Sequence, residues 1–187
     1  MVGLEIALQV ANMLGKEDLY LFLTEGTSVD ISMAKRDRQK ILDCLHSVVL
    51  ELASGLCKIK CIEEFVPEDK KIFYKDFSNK ILSISRVLDK KGSVVKHSVF
   101  PTYLALYNDK KVDIEYNCLP NKCELDQEIM LGSPLINSTI LSYGVVAEYY
   151  LVSSLYEEAV LWRKRFEESL SRVMQNKKYK IKGRAFV

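Results

Sequence analysis

The stretch STILSYGVVAEYYLVSSLYEEAVLWRKRFEESLSRVMQ, residues 138–175, decides how this chain is read. Its first half sets Ile140, Leu141, Val145, Leu151 and Val152 in an apolar stripe with Gly144 and Ala147 as small spacers, which predicts a helix over Thr139–Val152. A second helix is expected to open at Ser154. That serine can accept from the first-turn amides while Glu157, three residues on, bonds back, which is the capping-box pattern. Glu157 and Glu158 stand at the positive end of the helix dipole, with Arg163, Lys164, Arg165 and Arg172 further along. Ala159, Trp162, Phe166, Leu170 and Val173 recur at helical spacing and should bury one face. So short a connection makes an antiparallel hairpin whose polar outer face is open to water or a partner.

At the other end of the chain, Leu4–Leu14 puts Leu4, Ala7, Leu8, Ala11 and Leu14 on one helical face and stops at Gly15. Asp18–Leu23 is a short apolar piece, and Glu25–Ser32 reads as a polar loop. Met33–Ser54 is the clearest single helix, with Ile41, Leu42, Leu45, Val48, Val49 and Leu52 in a wide stripe. Lys35, Arg36, Arg38 and Lys40 should keep its first half solvated, and Gly55 ends it. His46 falls beside the stripe as a boundary histidine.

After Gly55 the period changes from helix to strand. Leu56–Val66 and Lys71–Phe77 read as extended. Lys80–Leu88 and Ser93–Val99 are expected to form a hairpin across Asp89–Gly92, and Tyr103–Tyr107 to pair with Val112–Cys118 across Asn108-Asp-Lys. In the last strand Val112, Ile114 and Tyr116 alternate with Asp113, Glu115 and Asn117, one face buried and one wet. Pro120–Pro134 reads as a linker back to the helices. Helices, sheet, helices in that order predict an α+β fold: a helical bundle from 1–55 and 134–175, an antiparallel β lobe at 56–120 inserted into it, and a basic tail at 176–187.

The 187 residues suffice for one domain with an inserted lobe, and 48% hydrophobic with 28% charged residues is ordinary for a globular protein. A formal charge of +2 argues against a protein that coats nucleic acid over its whole surface. No apolar run approaches a membrane span, and the opening Met-Val-Gly-Leu-Glu lacks a basic, then apolar, secretory leader, so synthesis in a cytoplasm is expected. Cys44, Cys57, Cys61, Cys118 and Cys123 are an odd set, expected as reduced thiols. A zinc site from Cys57/Cys61 with Cys118/Cys123 is set aside, because residues four apart in an extended strand lie roughly 13 Å from each other.

Catalytic signatures are lacking too. There is no Gly-rich phosphate loop, no HExxH and no GxSxG elbow. Glu63/Glu64, Glu157/Glu158 and Glu167/Glu168 are adjacent pairs whose side chains diverge. The expectation is a protein that is not an enzyme and needs no metal or cofactor. The final NKKYKIKGRAFV is basic with an apolar close, which suits a solvated tail, a phosphate contact, or docking on a partner with Tyr179, Ile181 and the last residues in pockets.

The run Tyr143-Gly-Val-Val-Ala-Glu-Tyr-Tyr, then Ser154-Leu-Tyr-Glu-Glu-Ala, then Leu161-Trp-Arg-Lys-Arg-Phe-Glu-Glu-Ser-Leu170 resembles the C-terminal helical hairpin of phage head-to-tail adaptor proteins, the tail tubular A or gatekeeper-type connectors. The earlier order of elements is similar, and the close on Lys182-Gly-Arg-Ala-Phe-Val looks like that family's basic-aromatic finish. The resemblance implies a structural virion protein at the head–tail junction, in a ring of twelve copies that continues the DNA channel. Implied partners are the portal protein, a downstream tail or nozzle protein, other copies of the chain, and DNA passing through. Portal contacts would fall on Arg163, Lys164 and Arg165 and on Lys177, Lys178, Tyr179, Lys180, Ile181, Lys182, Arg184, Phe186 and Val187. The alternative is a small nucleic-acid-binding module that uses the basic tail and the Lys35–Lys40 cluster.

Overall fold

Residues 1–175 are described by a computed structural model, and they form an α+β protein. The elements are α1 (Gly3–Met13), α2 (Glu17–Glu25), α3 (Ile31–Ser54), β1 (Ile59–Phe65), β2 (Lys71–Phe73), β3 (Ile81–Asp89), β4 (His97–Val99), β5 (Tyr103–Leu106), β6 (Val112–Cys118), α4 (Ser138–Val152) and α5 (Tyr156–Gln175). Two compact units divide them. Among the described residues, 1–49, 122–129 and 133–175 make a helical unit; residues 50–121 with 130–132 make a β unit.

In the helical unit the apolar stripes meet. Ile6, Val10, Leu19, Ile41, Leu45, Val48, Leu141, Val145 and Phe166 are all buried. Each contributes about 1.5–3 kcal/mol relative to exposure, so this core and not helix propensity fixes the bundle. Gly15 ends α1 in the left-handed region at φ 64°, where glycine carries no Cβ penalty. The piece at Asp18–Leu23 is a full helix, α2. Helix α3 starts two residues earlier than its apolar pattern suggests. Asp30 is the reason: its Oδ1 accepts from the Met33 amide at 3.0 Å and from the Ser32 hydroxyl at 2.7 Å, capping the first turn.

Half of the basic cluster at the start of α3 is not solvated as expected. Lys35 and Arg36 are exposed, but Arg38 and Lys40 are half-buried. The Arg38 guanidinium lies 6.0 Å from the Phe22 ring and the Lys40 ammonium 4.4 Å from the Tyr149 ring.

The segment read as a linker is partly structural. The Gly3 amide donates to the Gln127 carbonyl (3.1 Å), Leu4 to Leu125 (2.7 Å), and Ile129 back to Met1 (2.8 Å). Helix α1 has no side-chain cap, so these carbonyls satisfy two of its orphan first-turn donors.

The β unit holds two three-stranded antiparallel sheets where one was expected, in orders β1-β6-β3 and β2-β5-β4. Ile72, Leu104 and Leu106 from one sheet share a core with Val87, Val112, Ile114 and Tyr116 from the other. The expected hairpin of Tyr103–Tyr107 with Val112–Cys118 does not form. Both edges of β6 are taken, by β1 and by β3, so β5 pairs with β2 and β4 instead. The turn at Asp89–Gly92 does form: Asp89 Oδ1 accepts from the Lys91 and Ser93 amides at 2.8 Å. Only Val94 and Val95 then follow β3, and His97–Val99 leaves to pair with β5. Lys71–Phe77 is likewise not one strand, since Tyr74–Asp76 is a 3₁₀ turn. In each sheet the middle strand is the last of its three in sequence.

Candidate functional site

The α4–α5 hairpin is built on a close crossing. A Cβ added at Gly144 would sit 3.0 Å from Val48 Cγ1 and 3.1 Å from the Phe166 ring, so α3, α4 and α5 meet where only a hydrogen fits. Tyr143 and Trp162 pack at 5.8 Å across the hairpin. The Arg165 guanidinium covers both rings, 4.5 Å from Tyr143 and 5.3 Å from Trp162. Arg163 donates to Glu167 Oε1 at 2.9 Å and lies 3.9 Å from Glu148 on α4. Two of the three basic residues expected to face a partner are therefore engaged within the hairpin, and Lys164 between them is exposed. The other expected contacts, Lys177 to Val187, lie outside the described residues.

The turn differs from the expected capping box. Ser154 has φ 61°, a left-handed conformation, and cannot serve as the extended cap of α5. Its amide donates to the Leu151 carbonyl at 3.0 Å and that of Leu155 to Tyr150 at 3.0 Å. That pair of bonds is the Schellman motif, with Ser154 in the position usually held by glycine. The orphan carbonyls at the end of α4 have claimed the serine. Leu155 becomes the residue before α5, its carbonyl accepting from Ala159. Glu157 and Glu158 still occupy the first turn and complement the dipole.

Helix α4 is fixed from both ends. Asn137 Oδ1 accepts from the Ile140 amide at 3.0 Å. Towards the turn, Asp37 accepts from the Tyr149 hydroxyl at 2.8 Å and from Lys16 Nζ at 2.6 Å. Burial alone would lower the Lys16 pKa, but its bonds to Asp37 and Tyr149 outweigh that and hold it above the ordinary value. Burial, then the bond to Asp37, raises Tyr149 as well.

So anchored, the hairpin presents a tip that the helical unit does not cover. Tyr156, Val160 and Leu161 are 63, 66 and 69% exposed, and Leu151, Val152 and Leu155 are exposed beside them. Leu151 and Val152 were expected in the buried stripe; the helix drifts out of the core in its last turn and leaves them outside. Val160 and Leu161 carried a signal in the sequence, since they fall off the buried spacing of Ala159, Trp162 and Phe166. A cleft of about 430 Å³ between α3 and α4 adjoins the tip through Val152 and is lined by Arg36, Lys40, Asp43, Cys44 and Glu148. Burial pushes the Cys44 thiol up to about 11, so at neutral pH it is a protonated, weakly nucleophilic group. Among the described residues no cluster of three or more His, Cys, Asp or Glu could hold a metal ion, and no helix is long and apolar enough to cross a membrane. The arrangement suits contact with a macromolecule: an apolar centre with charges of both signs around it. No protein-family model matches the chain, and no curated protein matches it.

Proposed function

We propose that this chain is a structural protein of a phage particle, a head-to-tail adaptor that forms a ring between portal and tail and continues the DNA channel. The observation that carries the reading is the uncovered apolar tip of the α4–α5 hairpin, Leu151 to Leu161. Scattered single apolar residues on a surface need no explanation, but a run of them at one rigid turn marks an interaction site. The tip lies within the same residues whose pattern resembles the adaptor hairpin. A ring also needs two unlike faces on each subunit, because its contacts are heterologous. A chain of one helical and one β unit supplies unlike surfaces.

In this reading the tip and Lys164 meet the portal or the neighbouring copy, with the basic tail adding to the portal contact. Arg163 and Arg165 act indirectly, by clamping α5 to α4 so that the tip is held in shape. The double variant Val160→Asp, Leu161→Asp tests the proposal, since both side chains are already in water and the fold should tolerate the charges. Circular dichroism should match the parent, while ring assembly and co-sedimentation with a portal protein of the same phage should fall at least tenfold. Undiminished assembly by the double variant would remove the tip from the interface. Binding to DNA instead, with affinity falling steeply as salt rises, would favour the nucleic-acid module.

A further inference from the structure

Of the three cysteines in the β unit, Cys57, Cys61 and Cys118, two stand side by side, and the adaptor reading uses neither. Cys61 on β1 and Cys118 on β6 are neighbours on the core-facing side of one sheet, where Cys61 is opposite Tyr116 and Cys118 opposite Ile59. Their sulfurs are 2.8 Å apart as free thiols. We propose that Cys61 and Cys118 are an oxidisable dithiol that hydrogen peroxide, or another two-electron oxidant of that class, closes into a strand-to-strand disulfide.

The two sulfurs differ in access. Cys61 is half-buried and Cys118 is 4% exposed, so the oxidant meets Cys61 first. The Asn79 amide lies 3.9 Å from Cys61 Sγ, close enough to offer a donor to a thiolate there. In the first step Cys61 gives its proton to solvent, its sulfur attacks one peroxide oxygen, and the O–O bond breaks. Hydroxide leaves, takes up a proton and becomes water, and Cys61 is a sulfenic acid. Cys118 then loses its proton and its sulfur attacks that of Cys61. The S–O bond breaks, a second hydroxide is protonated, and the S–S bond remains. Two electrons have passed from the sulfurs to the peroxide.

Proximity is what makes the second step feasible. Burial, followed by its contact with Cys61, pushes the Cys118 thiol up to about 12, so little thiolate exists at neutral pH and a distant Cys118 would react slowly. Held against its partner, it attacks at high effective concentration. The bond would tie residue 61 to residue 118, closing almost the whole β unit into one loop and restricting its unfolded chain.

Peptide mapping of the full-length protein tests this. Reduced protein is treated with hydrogen peroxide, alkylated after denaturation, and digested without reductant. The expected product is one cross-linked peptide joining Cys61 to Cys118, with Cys44, Cys57 and Cys123 recovered alkylated. Dithiothreitol should reverse it, and the oxidised form should melt roughly 5–10 °C higher than the reduced one. In Cys118→Ala the cross-link should vanish and Cys61 should accumulate as a sulfenic acid that dimedone traps. A cross-link dominated by any other pair would overturn the proposal, as would recovery of Cys61 as sulfinic acid with Cys118 still alkylated. Should Cys118→Ala fail to fold, the wild-type map alone decides. The proposal does not depend on the adaptor function, since it concerns no partner.

Discussion

Asp37 holds more of the helical unit together than its place on an exposed stretch of α3 suggests. It accepts from Lys16, just before α2, and from Tyr149, near the end of α4. Both partners have pKa values raised above their ordinary ones, near 10.5 for lysine and 10.0 for tyrosine. A raised folded value means that the contribution to stability is complete below the unfolded value and is lost as pH climbs through the folded one. Denaturant midpoints should therefore stay level on this account up to about pH 10 and fall above it. Asp37→Asn should cost about 1 kcal/mol at neutral pH, a figure discounted for the partial exposure of Lys16, and should flatten that alkaline fall. A midpoint-against-pH series on the two proteins checks both statements. None of this was legible in the sequence, where Asp37 sits among lysines and arginines and its partners are distant.

The long helices declared themselves in the sequence; the short α2 and the strand partners did not. Period 3.6 with Gly15 and Gly55 as stops located α1 and α3 to within two residues, because burial of one stripe is a local pattern. The alternation in β6 likewise identified a strand with a buried face, and Val112, Ile114 and Tyr116 are buried; Asn117, expected on the wet face, is buried too, its amide donating to the Ser83 and Ser85 hydroxyls. Pairing is a different matter. Nearest neighbours in sequence suggest hairpins, yet β6 lies between β1 and β3, and no alternation records which strands occupy its two edges. The α4–α5 turn shows a second limit: Ser154 satisfied two local rules, a cap for α5 and a closing residue for α4, and the structure uses it for the latter. That choice leaves a serine at φ 61°, a conformation disfavoured by roughly 1–2 kcal/mol for a residue with a Cβ. Ser154→Gly should consequently stabilise the protein by about 1 kcal/mol, and Ser154→Val should destabilise it by more, both readable from urea unfolding curves.

For the whole chain, α+β class and helix–sheet–helix order followed from the change of period at Gly55 and its return before Ser138. The candidate surface was harder to see. Basic residues drew attention in the sequence, but Arg163 and Arg165 serve the hairpin itself, and the exposed tip is apolar. The tail from Lys177 is a separate question with its own test. Deleting 177–187 should leave the circular dichroism and melting of the protein unchanged within about 0.5 kcal/mol of stability, because the buried residues named above all fall within 1–175 and charged chain ends are commonly dispensable. In the adaptor reading the same deletion should abolish capture of the portal in a pull-down. Retained capture would assign the contact to the hairpin alone.

The order in which strands leave the ribosome carries a consequence of its own. Since β5 and β6 are the central members of their sheets and the last to be synthesised, the first strands emerge with no partner and wait. β1 and β3 cannot be joined until residue 118 is out of the exit tunnel, so their bare edges are open to other nascent chains throughout that interval. A cell making this protein at high level must shield those edges, and slowing translation between β4 and β6 would lengthen the exposure.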